Sequence, residues 1–301
     1  MAPNFQKHLS QTSSAVDARL EHLLATTLND GEIERPQKLV RAMRHGVLNG
    51  GKRLRPFLVI ETAALFGANQ ERTMQCACAL ECLHSYSLIH DDLPAMDDDD
   101  LRRGQPTVHR AFNEATAILA GDALLTFAFD LLSSNKCHPS AEIRCELISL
   151  LSRAAGQGGM IGGQVLDIEA ETSAPDENAI RTLQSMKTGS LIRFACEAGA
   201  VLGGASADDR DRMVEFGKTI GLAFQLADDL LDVTSSSEKM GKRVGKDAGR
   251  GKGTLVALLG MDATRQLLND SLSQAENLLE PFDDRANVLR ETARFIVERS
   301  T

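Results

Sequence analysis

Apolar residues recur along most of the chain at the three-to-four-residue spacing of amphipathic helices, and alternating strand-like runs are rare. Ala and Leu are abundant and favour helix, whereas Trp is absent and Tyr occurs once. The pattern predicts helices over about residues 15–27, 36–48, 56–66, 70–92, 115–133, 141–155, 159–171, 177–187, 190–202, 208–233, 254–259, 262–279 and 285–298. We therefore expect an all-α fold.

Prolines and an aspartate punctuate these helices. Pro36 and Pro56 suit a first helical turn, and Asp208 suits an N-cap. Pro94 is expected to end the helix over residues 70–92, because it has no N–H and clashes with the preceding turn.

Two predicted helices, over residues 70–92 and 208–233, are long, free of proline and apolar on more than one face. A helix that is buried most of the way round lies at the centre of a bundle. No Pro/Ser-rich linker divides the chain. We expect residues 1–301 to form a single-domain helical bundle in which both central helices finish in aspartates.

Composition narrows the class of protein. The 301 residues include 33 Lys and Arg against 42 Asp and Glu, a net charge of −9, and 43% are hydrophobic. This is the composition of a globular protein and disfavours disorder and nucleic-acid binding. No uninterrupted apolar run of about 18 residues predicts a membrane span, and residues 1–10 contain no apolar leader. Six cysteines without zinc-finger spacing indicate reduced core thiols, so we expect a cytoplasmic protein.

Six aspartates lie between residues 91 and 100, at the end of an apolar predicted helix. Carboxylates packed this tightly repel one another, and their pKa values rise unless a cation lies among them. Oxygen-only ligands favour Mg²⁺ or Mn²⁺ over zinc, and Mg²⁺ often shares its ligands with substrate phosphates. The run therefore predicts a divalent-metal site, with a solvated acidic loop as the alternative.

A second acidic group consists of Asp228, Asp229 and Asp232. Asp228 and Asp232 are four residues apart and lie on one helical face, which Gln225 shares. One such group is weak evidence for a metal site. Two aspartate-rich helix ends, about 130 residues apart, are stronger, because they can face each other across a bundle and hold several ions.

Three basic segments offer places for phosphates. GGKRLRP at residues 50–56 sets cations ahead of a predicted helix start, and Arg102 and Arg103 follow the first acidic run. Residues 239–252 carry six Lys and Arg against one Asp and are rich in glycine, which is typical of a mobile flap over a polyanion. With apolar helical walls, these charges predict a cavity for a ligand with a diphosphate head and a hydrocarbon tail.

Seven segments carry a resemblance to a known family: GGKRLRP at 50–56, HSYSLIHDDLPAMDDDDLRRGQPTVH at 84–109, GMIGGQVLDIEAE at 159–171, KTGSLI at 187–192, FQLADDLLDV at 224–233, GKRVGKD at 241–247 and GKGTLVALLG at 251–260. On these motifs the chain resembles the trans-prenyl diphosphate synthases, and most closely the bacterial farnesyl diphosphate synthases. The resemblance implies an all-α bundle around a deep central cavity, a homodimer, and three Mg²⁺ per active site, for which Mn²⁺ can substitute. The chain departs from close bacterial relatives at residues 253–256, GTLV, where they often have Ser-Thr-Tyr-Pro.

The resemblance also implies roles for individual residues. The expected metal ligands are Asp91, Asp92, Asp97, Asp228, Asp229 and Asp232. The allylic diphosphate and its reacting carbons would contact Arg102, Lys187, Thr188, Gln225, Lys242 and Lys252. Isopentenyl diphosphate would contact Gly51, Lys52, Arg55, His84 and Arg103. The catalytic residues among these would be Asp91, Asp92, Asp97, Arg102, Lys187, Thr188, Gln225, Asp228 and Lys242.

The implied reaction ionises the allylic diphosphate, adds the double bond of isopentenyl diphosphate to the allylic cation, and loses a proton to the departing diphosphate. Dry apolar walls protect the cation from water. Tyr86 lies five residues before Asp91, which is about 7.5 Å of helix, and is expected to stop chain growth, whereas the small Ser87 lets a ten-carbon chain pass. Farnesyl diphosphate, made from dimethylallyl or geranyl diphosphate, is the expected product.

Three alternatives remain. A geranylgeranyl diphosphate synthase is the nearest of them. A terpene cyclase shares the first acidic cluster but typically has a different second metal motif and no site for isopentenyl diphosphate. A non-catalytic subunit of the same fold would be expected to lose one acidic cluster, and this chain keeps both.

Overall fold

The structure is a computed structural model that describes residues 3–28, 31–173, 175–240 and 254–298. Apart from a short hairpin, β1 (Leu101–Arg102) and β2 (Gln105–Pro106), these residues form helices and their connections, which confirms the all-α prediction. Backbone contacts divide the chain into two compact units. The first unit is Ala2–Ile60 with Ala68–Ile148, and the second is Glu61–Gly67 with Ser149–Thr301 and Met1. The single domain stays a prediction.

The first unit is built around one buried helix. Its helices are α1 (Pro3–Leu23), α2 (Gln37–Val47), the start of α3 (Leu54–Leu65), α4 (Gln70–Asp91), α5 (Val108–Ala111), α6 (Glu114–Ser133) and the start of α7 (Ala141–Ala155). Helix α4 packs against α1, α2 and α6 and is buried on several faces, as its apolar sequence predicts. Gly46 and Gly121 let the neighbouring helices approach its last turn, because a Cβ at these positions would lie 2.4 Å from Ile89 Cδ1 and 2.1 Å from His90 Nε2.

Helix α6 is long and apolar enough to span a membrane, judged by length and composition alone. It packs against α4 and α2 within the first unit, and 44% of its most apolar window is buried there. Ile118 and Leu119 are exposed on its outer side. A core helix passes the same test of length and composition, so the absence of a membrane span stays a prediction.

The second unit surrounds α11. It contains the ends of α3 and α7, followed by α8 (Met160–Ala170), α9 (Glu177–Gln184), a π-helix (Ser185–Gly189), α10 (Ser190–Leu202), α11 (Ala207–Met240), α12 (Leu255–Leu259), α13 (Met261–Leu279), a 3₁₀-helix (Glu280–Ala286) and α14 (Asn287–Glu298). Helix α11 packs against α10, α13 and α14, and Phe216, Ile220 and Leu226 fill this core. Each of the two long predicted helices is therefore the central helix of its own unit.

Some boundaries differ from the prediction. Helix α1 begins at Pro3, twelve residues before the predicted start. The prediction missed its first turns because Gln and Ser dilute the amphipathic pattern there. The predicted break after residue 187 is a π-helix that joins α9 to α10. The cap of α11 is Ser206, whose Oγ accepts a hydrogen bond from the Asp209 N–H at 3.2 Å, so the assignment of the cap to Asp208 was wrong.

The segment that departs from the sequences of close bacterial relatives still starts a helix within its described residues, 254–256. Thr254 Oγ1 accepts a hydrogen bond from the Ala257 N–H at 3.1 Å and caps α12, and Leu255 is buried behind it. The six cysteines are free thiols. Five of them are buried as predicted, whereas Cys145 is exposed, because it lies on the outer face of α7.

Candidate active site

The first acidic run folds back over the end of α4. The Asp97 N–H donates to the Asp91 carbonyl oxygen at 2.8 Å, and the Asp99 N–H donates to the Asp92 carbonyl oxygen at 3.2 Å. Asp98 adopts a positive φ of 52°, which aspartate tolerates better than most residues. The loop thus returns Asp97 to the helix turn that carries Asp91, and both side chains are half-buried.

Asp92 is buried and paired with Arg102. It is 2% exposed, and its carboxylate accepts three hydrogen bonds from Arg102, two from Nε at 2.8 and 3.0 Å and one from Nη2 at 2.6 Å. Burial raises the pKa of Asp92, and the ion pair with Arg102 opposes that shift. Asp92 and the guanidinium of Arg102 therefore satisfy each other in this state.

The hairpin turn sends two adjacent arginines to different places. Arg103 and Gly104 both have positive φ, 54° and 77°, as the tight turn between β1 and β2 requires. Arg102 returns to Asp92, whereas Arg103 Nη1 donates to Asn49 Oδ1 at 3.0 Å and to the Gly50 carbonyl oxygen. Arg103 therefore lies against the turn over residues 51–55, which we call the cationic turn.

Gly51 cannot carry a side chain in this arrangement. Its φ is +124°, and a Cβ would lie 2.5 Å from Arg103 Nη1. Lys52 and Arg55 belong to the same turn, so the structure brings together Gly51, Lys52, Arg55 and Arg103. Burial lowers the pKa of Arg103, and the nearby Arg53 guanidinium adds to the effect, which is typical of a cation that lacks sufficient counter-charge.

His84 lies next to the cationic turn from the side of α4. The Arg55 Nη1 donates to His84 Nε2 at 3.4 Å, which requires that nitrogen to be unprotonated. Burial lowers the pKa of His84 well below its ordinary value, and the guanidinium of Arg55 lowers it further. His84 is therefore a neutral hydrogen-bonding group and supplies no charge.

Arg53 faces away from this cluster of cations. Its backbone φ is +49°, and its side chain is buried. Nε donates to Asp17 Oδ1 at 2.7 Å, Nη1 donates to Glu81 Oε1 at 2.6 Å, and Nη2 donates to the Val47 carbonyl oxygen at 2.6 Å. Burial opposes its charge, but Glu81 and Asp17 together raise the pKa of Arg53 above its ordinary value. The two carboxylates therefore neutralise the charge of Arg53 inside the first unit.

Tyr86 is buried in the last turns of α4. Its ring meets the His90 ring edge-on, with centroids 5.6 Å apart, and the Tyr86 side chain is 5% exposed. Its hydroxyl is buried without a hydrogen-bond partner among the described residues. Burial, and then the Asp91 carboxylate, raise the pKa of this hydroxyl to about 12. Ser87 turns back on its own helix and donates to the His84 carbonyl oxygen at 2.8 Å.

In the second unit, Asp229 is held by amides. Gln184 Nε2 donates to one carboxylate oxygen at 2.9 Å, and Gln225 Nε2 donates to the other at 3.0 Å. The Leu255 N–H also bonds to this carboxylate. Thr188 Oγ1 in turn donates to Gln225 Oε1 at 3.1 Å. Burial raises the pKa of Asp229, and the two amides oppose that shift.

Asp228 and Asp232 share the helical face that Asp229 does not occupy. Asp228 is half-buried and Asp232 is exposed. The nearby π-helix carries Lys187, whose Nζ donates to Asp167 Oδ2 on α8 at 2.6 Å. Gly163 permits this approach, because a Cβ there would lie 2.3 Å from the Lys187 backbone nitrogen. The second unit therefore places two solvent-accessible carboxylates, a lysine and a Thr–Gln pair on neighbouring elements.

The carboxylates fit Mg²⁺ that is shared with a substrate. Across the part of the chain that the structure describes, no three His, Cys, Asp or Glu side chains form a complete metal site by themselves. Each unit instead offers a pair of accessible oxygen donors, Asp91 with Asp97 and Asp228 with Asp232. Two carboxylates completed by water and phosphate oxygens are the ligand set that Mg²⁺ usually takes.

The sequence pattern of the family described as "Polyprenyl synthetase" matches residues 36–286. The chain belongs to the polyprenyl synthetase family. It is 45% identical over 271 residues to the farnesyl diphosphate synthase of Escherichia coli (strain K12), with 87% of this chain and 89% of the relative covered. It is 41% identical over 275 residues to the large subunit 1 of a chloroplastic heterodimeric geranylgeranyl pyrophosphate synthase of Arabidopsis thaliana, with 89% and 74% covered. A crystal structure of an FPP/GFPP synthase from Zymomonas mobilis has a TM-score of 0.87 and 43% identity and covers 99% of this chain and 100% of its own.

Several residues that hold the candidate site residues within each unit were not predicted from the sequence. Glu81 and Asp17 hold Arg53, and Gln184 holds Asp229. Asp167 lies inside the motif at 159–171 but was given no role, although it pairs with Lys187. A buried acid in the apolar helix α4 was the one available signal, and it pointed to Glu81. Lys242 and Lys252 lie outside the described residues, and their roles stay predictions.

Proposed function

We propose that the chain is a prenyltransferase that condenses isopentenyl diphosphate with dimethylallyl or geranyl diphosphate and releases (2E,6E)-farnesyl diphosphate and diphosphate. The observation that supports this proposal most is that each unit carries accessible carboxylates close to basic side chains. The first unit has accessible carboxylates next to a separate group of cations, and the second has accessible carboxylates next to Lys187 and the Thr188–Gln225 pair. Two diphosphate substrates need two such cationic groups.

Isopentenyl diphosphate is assigned to the cationic turn. Lys52, Arg55 and Arg103 neutralise its diphosphate, and Gly51 keeps the backbone close enough for Arg103 to lie against it. His84 is neutral and orients Arg55 through the hydrogen bond at Nε2. No residue of this turn has to transfer a proton, because the departing diphosphate accepts the one that the product loses.

The allylic diphosphate is assigned to Arg102, Lys187, Thr188 and Gln225. Arg102 and Lys187 are both paired with carboxylates, Asp92 and Asp167, before substrate arrives. A diphosphate that takes over Arg102 frees the Asp92 carboxylate, so binding of the substrate and completion of the acidic cluster are coupled. The Thr188 hydroxyl and the Gln225 carbonyl oxygen, 3.1 Å apart, present dipoles that can stabilise a developing allylic cation.

Divalent metal ions are part of the proposal. Up to three Mg²⁺ or Mn²⁺ would be held by Asp91, Asp97, Asp228 and Asp232, and Asp92 would join them once Arg102 is engaged by substrate. Asp229 would support its neighbours while it is held by the side-chain amides of Gln184 and Gln225, which we call the amide clamp. When bound, the ions neutralise the charge on the leaving diphosphate and make cleavage of its C–O bond easier. The oxygen-only donor set supports this choice of metal.

The proposed product has fifteen carbons. The ring of Tyr86 would block further growth of the hydrocarbon chain, and the small side chain of Ser87 would let a ten-carbon chain pass. The burial of Tyr86 and its edge-on contact with His90 support a fixed position for the ring. Geranylgeranyl diphosphate is the second candidate, because a relative named as a geranylgeranyl pyrophosphate synthase subunit is 41% identical to the chain. We also propose a cytoplasmic homodimer, and the exposed Ile118 and Leu119 on α6 are the apolar residues that a partner subunit would cover.

Metal-dependent condensation tests the proposal. Turnover of isopentenyl and geranyl diphosphates should need Mg²⁺ or Mn²⁺ and stop in excess chelator. Asp91→Asn and Asp228→Asn should each lower kcat by about 100-fold or more, because each removes charge at the ligand set. Asp98→Asn is the matched control, since Asp98 is exposed and asparagine tolerates its φ of 52°. Near-normal turnover by both variants, or full turnover in chelator, would contradict the assignment.

A further inference from the structure

Arg53, Asp17 and Glu81 form an ion triad on the inner side of the cationic turn, in which Arg53 and Glu81 are buried and Asp17 is partly exposed. Arg53 sits between Lys52 and Arg55 in sequence, yet it takes no part in the cluster of exposed cations. Its guanidinium uses three nitrogens on three partners from three different segments, Asp17 on α1, Glu81 on α4 and the Val47 carbonyl oxygen at the end of α2. A planar fork satisfied in this way fixes both the position and the direction of the side chain.

The same contact fixes the backbone of the turn. Arg53 has a φ of +49°, which is strained for a residue other than glycine and persists only where surrounding contacts enforce it. That φ turns the Arg53 side chain inward, whereas Lys52 and Arg55, on either side of it in the cationic turn, belong to the substrate cluster. Without the triad, the strained conformation loses the side-chain contacts that stabilise it, and the positions of Lys52 and Arg55 become less fixed.

Helix α1 reaches the turn at two points. Asp17 Oδ1 accepts the hydrogen bond from Arg53 Nε, and Ser13 Oγ, one helical turn earlier, donates to the Gly51 carbonyl oxygen at 3.2 Å. Ring contacts anchor the same helix to α3, since the Phe5 and Phe57 centroids are 5.8 Å apart. Helix α1 therefore braces the turn from outside, and Glu81 braces it from the core.

We infer that Arg53, held by Asp17 and Glu81, is a positioning residue that sets the geometry of the cationic turn, and that α1 is thereby part of the framework for isopentenyl diphosphate. The expected change in KM for isopentenyl diphosphate rests on the proposed function, whereas the effect on the geometry of the turn does not. It does not need Arg53 to touch a substrate. It requires that a change in Asp17, which lies outside the substrate cluster, affects one substrate and spares the other.

Asp17→Asn is the principal variant, because Asp17 is 38% exposed and the change keeps the side-chain shape while it removes the charge that holds Nε. We expect the KM for isopentenyl diphosphate to rise about tenfold, with the KM for geranyl diphosphate within about twofold of wild type. Glu21→Gln is the matched control. Glu21 also lies on α1 and pairs with an arginine at 2.7 Å, but that partner is Arg44 on α2. Both KM values should be unchanged in this variant.

Arg53→Lys separates geometry from charge. Lysine keeps the positive charge but has one nitrogen for three partners, so it should raise the KM for isopentenyl diphosphate at least as much as Asp17→Asn does. An unchanged KM in both variants, an equal rise in both KM values, or a fall in kcat alone would overturn the inference. Each of these outcomes is what a merely structural ion pair would give.

Hydrogen exchange keeps the test independent of catalysis. Amides of residues 50–57 should exchange about tenfold faster in Asp17→Asn than in wild type or Glu21→Gln, because the triad no longer holds the strained turn. Equal exchange in the three proteins would overturn the inference. If the wild-type protein condenses no prenyl diphosphates, the proposed function fails, and the exchange result still decides whether Asp17 positions the turn.

Discussion

Replacing Gly51 by alanine should damage one substrate site without unfolding the protein. A Cβ at this position would lie 2.5, 2.6 and 2.8 Å from three atoms of the Arg103 guanidinium. Since comfortable contacts are about 3.5 Å, the guanidinium must move by about 1 Å. A displacement of that size in a binding group can cost up to about 100-fold. We therefore expect a 10- to 100-fold rise in the KM for isopentenyl diphosphate, measured with geranyl diphosphate held at saturation.

Gly50→Ala is the matched control for the backbone. Gly50 also has a positive φ, +87°, but a Cβ there meets nothing within 4 Å. Both variants should lose about 1–3 kcal/mol of unfolding free energy in urea, because alanine disfavours either conformation. Only Gly51→Ala should show the large change in KM. A similar KM in the two variants would refute the claim that Arg103 is held against Gly51 for substrate binding.

Three further predictions concern α4 and the amide clamp. Tyr86→Ala should extend the product to twenty carbons or more and Ser87→Phe should shorten it to ten; unchanged product lengths in both would place the floor elsewhere. The pKa of His84 is depressed in the folded protein, so below about pH 6.5 the unfolded chain binds a proton that the folded protein does not. The Tm of wild type should therefore drop relative to that of His84→Gln between pH 7 and 5.5, and parallel Tm curves would exclude this origin. Gln184→Leu removes one of the hydrogen bonds to the buried Asp229 carboxylate and should cost about 1–3 kcal/mol of unfolding free energy in urea, whereas no loss would mean that this hydrogen bond does not stabilise the fold.

The helical pattern could be predicted because each helix buries a stripe that the sequence displays. The limits of α7 and α10 were predicted to the residue, since Pro139 and Ser140 precede α7, Gly156 follows it, and Gly189 and Gly203 flank α10. The return of Asp97 to the turn that carries Asp91 depends on local chain geometry, but spacing alone did not predict it, because Asp91 and Asp97 were grouped only through the family resemblance. These features depend on neighbours within a few residues.

Features that depend on distant partners could not be predicted. Lys52, Arg53 and Arg55 are equivalent cations in the sequence, and it is the contacts with Asp17, 36 residues before Arg53, and Glu81, 28 residues after it, that make Arg53 internal. Gln184 lies 45 residues before Asp229, and an amide has no charge pattern that would reveal such a pairing. In both cases a tertiary contact selects one of several chemically similar residues.

The length of the condensation product tests the proposed function most directly. Purified protein is incubated with Mg²⁺, labelled isopentenyl diphosphate and either dimethylallyl or geranyl diphosphate, and the dephosphorylated products are separated by chromatography. A fifteen-carbon alcohol is expected as the main product from both primers, with Tyr86 as the barrier to longer chains. A main product of twenty carbons would contradict the farnesyl assignment, and the absence of any condensation product would contradict the prenyltransferase itself.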